Sequence, residues 1–249
     1  MKLRNLCLIL GVGLQMNTNG QGVARSIEES WLRINDSVFV CRYEQSWDLY
    51  AEFLKEQTNL APFLPVEELT SMPEAFSLPP RRWENPDYRN YPVEGISHEA
   101  ALTFCDWLTR QYLADPQASE KKLSFRLPTH REWTLALAAF PESEYPWYGQ
   151  EPVHPNGRFA ANLRYRDLAS AAILYEIDGF FMMAPVGSFE PNRLGLYDMI
   201  GNVAEMISEE GKCMGGHWDV ELKKSGVLQS LPCGMPDPRF GFRWVAVLR

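Results

Sequence analysis

The sequence lacks two features: an apolar run long enough to cross a membrane, and an excess of basic charge. Its N-terminal apolar stretch, Leu6–Leu14, has nine residues, whereas a membrane-spanning helix needs about 20. The 249 residues include 24 basic and 32 acidic side chains, for a net charge of −8. Nucleic-acid phosphates are bound by basic surfaces. We therefore expect no membrane-spanning segment and no nucleic-acid partner.

Histidine is scarce, and several catalytic motifs are missing. The chain has four histidines, and their positions match neither a three-histidine nor a two-histidine-one-carboxylate metal site. There is no glycine-rich loop that would cradle a phosphate and no nucleophile elbow. These absences argue against nucleotide hydrolysis, serine hydrolase chemistry and non-haem iron chemistry.

The first 22 residues have the pattern typical of a secretory signal peptide. Lys2 and Arg4 precede the apolar run Leu6–Leu14, and small residues follow where a signal peptidase could cut. The alternative is a weakly amphipathic N-terminal strand. We expect residues 1–22 to be removed and the protein to be exported, to the periplasm or the exterior.

Cysteine usage suits an exported chain. Loss of the leader would remove Cys7 and leave four of the five cysteines, an even number that permits disulfides without requiring them. Cys213 and Cys233 are the candidate pair, brought together if the two closing strands of the chain pair. Cys105 falls on the apolar side of a predicted helix and is expected to be a buried free thiol.

The first half of the chain is predicted to form a strand, a helix and an excursion, meaning a surface segment with little regular secondary structure. Ser37–Arg42 predicts a short buried strand. Ser46 is placed to cap a helix that runs to about Gln57, with its hydroxyl accepting a free backbone N–H. Residues 60–91 are rich in proline and show no sustained period, which predicts an ordered excursion low in regular structure.

Two further helices precede a loop-rich second half. Ser97 is predicted to cap the second helix, and Thr129 with Glu132 forms a capping box for the third, which should end near Phe140. The closing strands are predicted at 212–217 and 241–248. The fold class expected is a single α+β domain over residues 30–249, with long ordered loops.

Several segments, in order, resemble those of one known family. They include Tyr43-Glu44, Arg126–Trp133 (RLPTHREW), Tyr145–Trp147, Gly195–Glu205 (GLYDMIGNVAE), Met214–Trp218 (MGGHW) and Gly241–Arg243. The family that they resemble is the formylglycine-generating-enzyme (sulfatase-modifying-factor) family. The resemblance implies a C-type-lectin-like core with little regular secondary structure. The variant with Ala204 is similar to bacterial members associated with gliding and secretion machinery.

The resemblance implies two structural calcium sites. One would use the Asp198 and Glu205 side chains with the carbonyls of Gly201 and Val203. Two carboxylates bracketing a glycine turn suit a hard cation with oxygen ligands, although a helix cap beside an exposed glutamate would give the same pattern. The second site would use the residues Asn162, Leu163, Asp178 and Phe180.

The catalytic cysteines of the family are missing. Active members bind copper(I) through two thiolates, which are soft ligands, at positions that fall here near Val220 and Ser225. Three further residues depart from the family pattern: Ala204 stands where many members have tryptophan, His217 replaces serine, and Arg239 replaces asparagine. We expect neither copper binding nor conversion of cysteine to formylglycine.

Two functional hypotheses remain. The first is a non-catalytic, calcium-stabilised binding or scaffold domain whose partner is another envelope or secreted protein, or a peptide or glycan. The second is an enzyme with altered chemistry, an oxidoreductase or hydrolase using His217, Asp219 and Arg239, or a divergent formylglycine-generating enzyme. A histidine at such a position is more often a hydrogen-bonded structural residue than a general base.

Overall fold

A computed structural model describes residues 23–66, 81–118, 122–137, 153–154, 156–166, 173–174, 177–221 and 229–249. The predicted signal peptide, the end of the third predicted helix near Phe140, and Ser225 lie outside these residues. No helix in the described part of the chain is long and apolar enough to cross a membrane.

Helices and strands both occur, which confirms the α+β class. The helices are α1 (Val23–Glu29), α2 (Trp47–Lys55), α3 (His98–Ala114) and α4 (His130–Leu137). The strands are β1 (Trp31–Arg33), β2 (Val38–Cys41), β3 (Leu123–Arg126), β4 (Tyr165–Arg166), β5 (Ile173–Leu174), β6 (Ala204–Met206), β7 (Lys212–Met214), β8 (Leu231–Pro232), β9 (Phe240–Phe242) and β10 (Val245–Leu248). All the strands are short, so the loops between them form much of the domain.

One four-stranded sheet has the order β1-β2-β10-β3, with every pair antiparallel. β10 lies in its interior, where Val245 pairs with Val40 on one side and Arg126 on the other. Helices α2 and α3 pack beside this sheet through buried aromatic rings such as Tyr50 and Phe104, whose centroids are 5.4 Å apart. The main hydrophobic core therefore lies between these helices and the first sheet.

The second four-stranded sheet has the order β8-β7-β6-β9, and it corrects the prediction for the closing strands. β6 lies between β7 and β9, so the two closing strands are not neighbours. The strand predicted over 241–248 is divided at Arg243–Trp244: β9 pairs in parallel with β6, while β10 enters the first sheet. The strand predicted over 212–217 ends at Met214, because the two following glycines have positive φ angles.

All three predicted helix starts are confirmed, but only two of the three predicted side-chain caps form. The Ala100 amide donates to Ser97 Oγ at 3.0 Å, as expected for an N-cap. Ser46 has the extended backbone of a cap but makes no side-chain cap bond. Its backbone instead bridges Pro92, which fixes the start of α2 by tertiary contact.

The capping box of α4 is present. The Glu132 amide donates to Thr129 Oγ1 at 3.2 Å, and the Thr129 amide donates to Glu132 Oε2 at 2.8 Å. Arg126 adds two hydrogen bonds to the same carboxylate, at 2.7 and 2.8 Å. Burial acts to raise the pKa of Glu132, but these bonds outweigh it and the pKa is lowered.

Replacing Glu132 with glutamine should therefore lower the free energy of unfolding by about 1 kcal/mol at pH 7. A carboxyl group whose pKa is lowered by folding stabilises the protein above its unfolded pKa and loses that effect as the pH falls through the folded value. The difference between wild type and variant should shrink below the ordinary pKa of 4.5. Urea unfolding at pH 7 and pH 3.5 tests this, and a difference that grows on acidification would contradict it.

The excursion predicted over 60–91 is low in regular structure where it is described. It contains single-turn 3-10 helices at Ala61–Phe63, Arg82–Glu84 and Pro86–Tyr88. Arg82 and Glu94 are each 1% exposed and form an ion pair, and Trp47 Nε1 donates to the same glutamate at 2.9 Å. This buried pair ties the excursion to α2.

Candidate functional site

Glu205 joins helix α4, strand β6 and the chain between β9 and β10. Its Oε2 accepts a hydrogen bond from Trp133 Nε1 at 2.7 Å, and its Oε1 accepts one from Arg243 Nη2 at 2.7 Å. Arg243 Nε lies 3.0 and 3.1 Å from the two oxygens. All three residues are buried, and both oxygens of Glu205 are bound by protein donors.

Arg243 is fully buried, and its remaining contacts hold the guanidinium in place. Nη1 donates to the Cys41 carbonyl at 2.9 Å, and Nη2 donates to the Tyr197 carbonyl at 2.7 Å. Burial alone would lower the pKa of Arg243, but Glu205 and Glu44 raise it overall. The side chain therefore stays charged between the two sheets.

Glu44 is a second buried carboxylate in the same place. It accepts hydrogen bonds from Asn202 Nδ2 at 2.6 Å and from the Val203 amide at 3.1 Å. Burial raises its pKa well above the ordinary value, and the charges of Asp198 and Glu205 act in the same direction. We call Glu44, Asp198 and Glu205 the acid cluster.

Asp198 has the least satisfied side chain of the acid cluster. Its Oδ2 accepts a hydrogen bond from the Gly187 amide at 2.5 Å, whereas its Oδ1 is buried and has no hydrogen-bond partner. Burial is the main reason that its pKa is raised, to about 6. The cluster thus places three carboxyl groups beside one guanidinium, and Asp198 Oδ1 is the oxygen that no protein donor contacts.

The predicted calcium residues Asp198, Gly201, Val203 and Glu205 fit a cation only in part. Asp198 offers an oxygen, but the Glu205 carboxylate is held by Arg243 and Trp133. Within the described residues, no three His, Cys, Asp or Glu side chains form a group that could hold a metal ion. Any cation here would depend largely on backbone oxygens and on Asp198.

The second predicted calcium set is brought together. Asp178 accepts hydrogen bonds from the Leu163 amide at 3.2 Å and from the Phe180 amide at 3.1 Å. Asn162 donates through Nδ2 to the Met182 carbonyl at 2.8 Å, so its Oδ1 is the side-chain atom that could act as an oxygen ligand. One carboxylate, one amide oxygen and adjacent carbonyls fit the hard-oxygen chemistry of calcium.

The two predicted calcium sets are neighbours through Asn162. Its backbone forms a parallel bridge with Gly201, and a Cβ at Gly201 would lie 2.1 Å from the Asn162 carbonyl oxygen. Its Nδ2 also donates to Asn202 Oδ1 at 3.1 Å, and Asn202 in turn contacts Glu44. Only glycine fits at position 201, which explains the glycine in this turn.

His217 and Asp219 do not form a catalytic dyad. His217 Nδ1 accepts a hydrogen bond from the Asp219 amide at 3.2 Å, not from a carboxyl group. Arg164 Nη1 lies 3.2 Å from one Asp219 oxygen, and Arg239 Nη1 lies 3.8 Å from the other. Burial is the main cause that lowers the pKa of His217 to about 4, while the charge of Asp237 acts in the opposite direction. The ring is therefore neutral at pH 7, and its one described hydrogen bond is to a backbone amide.

The thiols of the described chain do not form a copper pair. Cys213 and Cys233 form a disulfide with Cα atoms 5.9 Å apart. They approach each other through the β7–β8 pair, in which Cys213 faces Leu231, and not through the expected contact of the closing strands. Cys41 and Cys105 are buried free thiols, which confirms the prediction for Cys105. Val220, near one expected copper position, has no thiol to offer.

Similarity to known proteins identifies the family of this chain. A family model described as "Sulfatase-modifying factor enzyme 1-like domain" matches residues 28–246. The chain belongs to this family, and the family expected from the sequence motifs is confirmed.

Its relatives include proteins described as formylglycine-generating enzymes and others described as inactive. The chain is 30% identical over 163 residues to a formylglycine-generating enzyme of Thermomonospora curvata, covering 61% of this chain and 47% of that protein. It is 28% identical over 168 residues to the inactive C-alpha-formylglycine-generating enzyme 2 of Mus musculus, covering 64% and 45%. The chain thus spans less than half the length of these relatives.

Solved structures share the fold. PvdO from Pseudomonas aeruginosa aligns with a TM-score of 0.57 at 18% identity, covering 85% of this chain and 80% of that one. CarF aligns with a TM-score of 0.54 at 21% identity, covering 85% and 87%. At these identities the likeness describes the fold alone.

Four residues of the site were not singled out from the sequence: Glu44, Trp133, Asn202 and Arg243. All four lie inside segments that carry the family resemblance: Tyr43-Glu44, Arg126–Trp133, Gly195–Glu205 and Gly241–Arg243. Those segments were therefore the signal that pointed to them, although nothing in the sequence showed that they meet.

Proposed function

We propose that this chain is a non-catalytic, calcium-stabilised binding or scaffold domain that works outside the cytoplasm. The observation that carries the proposal is the loss of the catalytic positions in an otherwise intact family domain. Valine and serine stand near the two thiolate positions, and His217 and Arg239 replace the serine and asparagine of the family pattern. Similarity to a mammalian member described as inactive supports the same conclusion.

Catalysis by the mechanism of the family requires two free thiolates at one place. Within the described residues, two cysteines form a disulfide and two are buried in the core. Burial raises the pKa of Cys41 and of Cys105, so neither thiol ionises readily to the thiolate that binds soft metals. These residues do not fit a copper(I) site.

The absence of catalysis can be measured against an active relative. With copper(I), oxygen and a thiol reductant that supplies the two further electrons, the Thermomonospora curvata enzyme should convert a cysteine in a sulfatase-derived peptide to formylglycine, with release of sulfide and water. We expect this chain to give no product under the same conditions, as read by mass spectrometry. Product formed at a rate comparable to that of the relative would overturn the proposal.

Calcium is proposed at the set Asn162, Leu163, Asp178 and Phe180, where the residues fit it best. A ligand that binds only the folded state at 100 times its dissociation constant stabilises that state by about 2.7 kcal/mol. We expect the unfolding midpoint to fall when EDTA removes calcium and to recover when calcium is restored.

The matched variants separate this site from general effects of ions. Asp178→Asn should abolish the response to calcium, whereas Asp36→Asn, at a fully exposed carboxylate, should keep it. Equal midpoints for the wild type in calcium and in EDTA would count against the calcium part of the proposal.

The second candidate function is an enzyme that uses His217. One observation favours it: the ring lies beside Asp219, Arg239 and Arg164 and is neutral at pH 7. The missing carboxylate partner weighs against a general base. Turnover of any substrate that disappears in His217→Ala, with the fold retained, would favour this candidate.

Export is proposed from the sequence of the first 22 residues. A disulfide is compatible with an oxidising compartment. The binding partner of this protein is proposed to be another envelope or secreted protein, or a peptide or glycan. Fractionation of the native host should place the protein outside the cytoplasm, and recovery in the cytosol at full length would contradict export.

A further inference from the structure

A groove lies between the start of helix α3 and the segment that follows strand β8. It has a volume of about 170 Å³, and the residues that line it include Ser97, Glu99, Met206, Glu210, Met235 and Phe240. We call it the α3 groove. Pockets for small molecules usually measure about 300–1,000 Å³, so this space suits one side chain of a partner protein better than a whole small-molecule ligand.

The walls of the α3 groove are fixed by three contacts. His98 Nε2 donates to the Ile207 carbonyl at 2.8 Å, which joins α3 to the turn between β6 and β7. The Cys233 amide donates to the Gly211 carbonyl in the same turn at 2.9 Å. The disulfide from Cys233 to Cys213 ties the segment after β8 to β7. A groove that is already formed loses little conformational entropy when a partner binds.

The apolar part of the α3 groove includes a highly exposed side chain. Met235 is 77% exposed, whereas Met206, which also lines the groove, is 2% exposed. Pro236 and Phe240 are half-buried and continue this apolar surface. Burial of apolar area is favourable, and the flexible thioether of methionine adapts to partner side chains of different shape. The groove therefore offers contact to an aliphatic side chain.

Two carboxylates line the α3 groove, and no basic side chain neutralises them there. Glu99 and Glu210 are exposed, and neither forms an ion pair or a side-chain hydrogen bond with a described residue. No lysine or arginine is among the described residues that line the groove. Lys212 follows closely in the chain, but side chains alternate along β7, so it lies on the opposite face from Cys213. Both carboxylates are therefore accessible and unpaired.

The first turn of α3 opposes this negative charge only in part. The N-terminus of a helix carries about half a positive charge, and the Ser97 hydroxyl already accepts the Ala100 amide at 3.0 Å. Glu99 and Glu210 together carry about two negative charges at pH 7. Even with a protonated His98 the sum stays negative. The groove therefore favours a cationic side chain over an anionic one.

We propose that the α3 groove binds a partner segment in which an aliphatic side chain stands next to lysine residues. The aliphatic side chain contacts Met235 and Phe240, and the ammonium groups lie beside Glu99 and Glu210. The net charge of −8 attracts a basic partner at long range. This inference rests on the proposed binding function and deepens it, because it names the chemistry of the partner.

The test uses the full chain with isotope-labelled methionine methyl groups. The probes are acetyl-Lys-Leu-Lys-amide and the same peptide with both lysine side chains acetylated, which removes their charge. We expect the charged peptide to shift the Met235 methyl resonance with a dissociation constant on the order of 1 mM at low salt. The acetylated peptide should bind at least about fivefold more weakly, and added salt should weaken the charged complex.

A third peptide tests the apolar contact. Acetyl-Lys-Ser-Lys-amide keeps both charges but lacks the aliphatic side chain, and we expect it to bind about five- to tenfold more weakly than the leucine peptide. Met235→Ser should weaken binding of the leucine peptide by about three- to fivefold. In that variant the methyl group of Met206 is the reporter, because it lines the same groove.

Matched charge variants assign the two carboxylates. Glu99→Gln and Glu210→Gln should each weaken binding of the leucine peptide by about two- to fourfold, and the double variant by about five- to tenfold. Glu29→Gln makes the same change at an exposed carboxylate of α1, a helix that packs against the opposite end of α3, and should leave binding unchanged. Circular dichroism checks that each variant is folded.

Three outcomes would overturn the inference: no Met235 shift at about tenfold the expected dissociation constant, equal binding of the acetylated peptide, or unchanged binding by the folded double variant. Calcium binding and formylglycine production are measured separately. Failure of the peptide test with those results intact removes only the α3 groove proposal. Formylglycine made by this chain would instead overturn the proposed non-catalytic function, whatever the peptide test gives.

Discussion

Replacing Arg243 with methionine is expected to lower the free energy of unfolding by about 3–5 kcal/mol, because it leaves buried carboxylates without their counter-ion. Arg243 is fully buried and hydrogen-bonded to Glu205. The charge of Glu44 raises the pKa of Arg243, and the charge of Arg243 lowers the pKa of Asp198. The variant also removes the donors to the carbonyls of Cys41 and Tyr197. Urea unfolding followed by circular dichroism measures the loss.

Two comparisons make the Arg243 result specific. Arg25→Met breaks an ion pair whose side chains are 60% and 63% exposed and should cost no more than about 0.5 kcal/mol. The double variant Arg243→Met with Glu205→Leu should recover part of the loss, because it removes one buried charge of each sign. A loss below about 1 kcal/mol in Arg243→Met would contradict the role assigned to the guanidinium.

Replacing both Cys213 and Cys233 with serine should cost about 2–4 kcal/mol, because the disulfide limits the freedom of the unfolded chain. It closes a loop with a sequence separation of 20 residues. It also fixes β8 against β7, a pair of very short strands. The unfolding midpoint in urea, measured without reductant, should fall accordingly.

Reduction provides the control for the disulfide. A thiol reductant should lower the stability of the wild type toward that of the double serine variant, and it should leave the double variant unchanged. Cys105→Ala, at a buried free thiol, should keep the full response to reductant. A wild type that is equally stable with and without reductant would show that the bond contributes little.

The sequence predicted the long elements well because their signals are local. The apolar spacing of α3 and α4 and the caps at Ser97 and Thr129 depend on residues within one or two turns. Helix α1 was not predicted because it directly follows the predicted leader. Strand β1 was not predicted because its three residues show no clear alternation of apolar and polar side chains. Short strands are defined by their partners more than by their own residues.

Only part of the composition of the site was predicted, and its arrangement was not. The carboxylates Asp198, Glu205 and Asp178 were found from their motifs. That Arg243 would bind Glu205, 38 residues earlier in the chain, could not be read from either segment alone. The same holds for Glu44 and Val203, which are 159 residues apart, because such contacts follow from the sheet order.

The place of β10 inside the first sheet governs how the protein can be made. β10 pairs with β2 and β3, which precede it by roughly 200 and 120 residues. β2 and β3 are therefore synthesised well before β10, the strand that separates them in the sheet. Until β10 is available, the edges of β2 and β3 that pair with it have no partner. Folding dominated by such distant contacts is slow, and waiting edges invite pairing between nascent chains. The domain should gain its native core only once residues 245–248 are available to pair with both strands, in whichever compartment the chain folds.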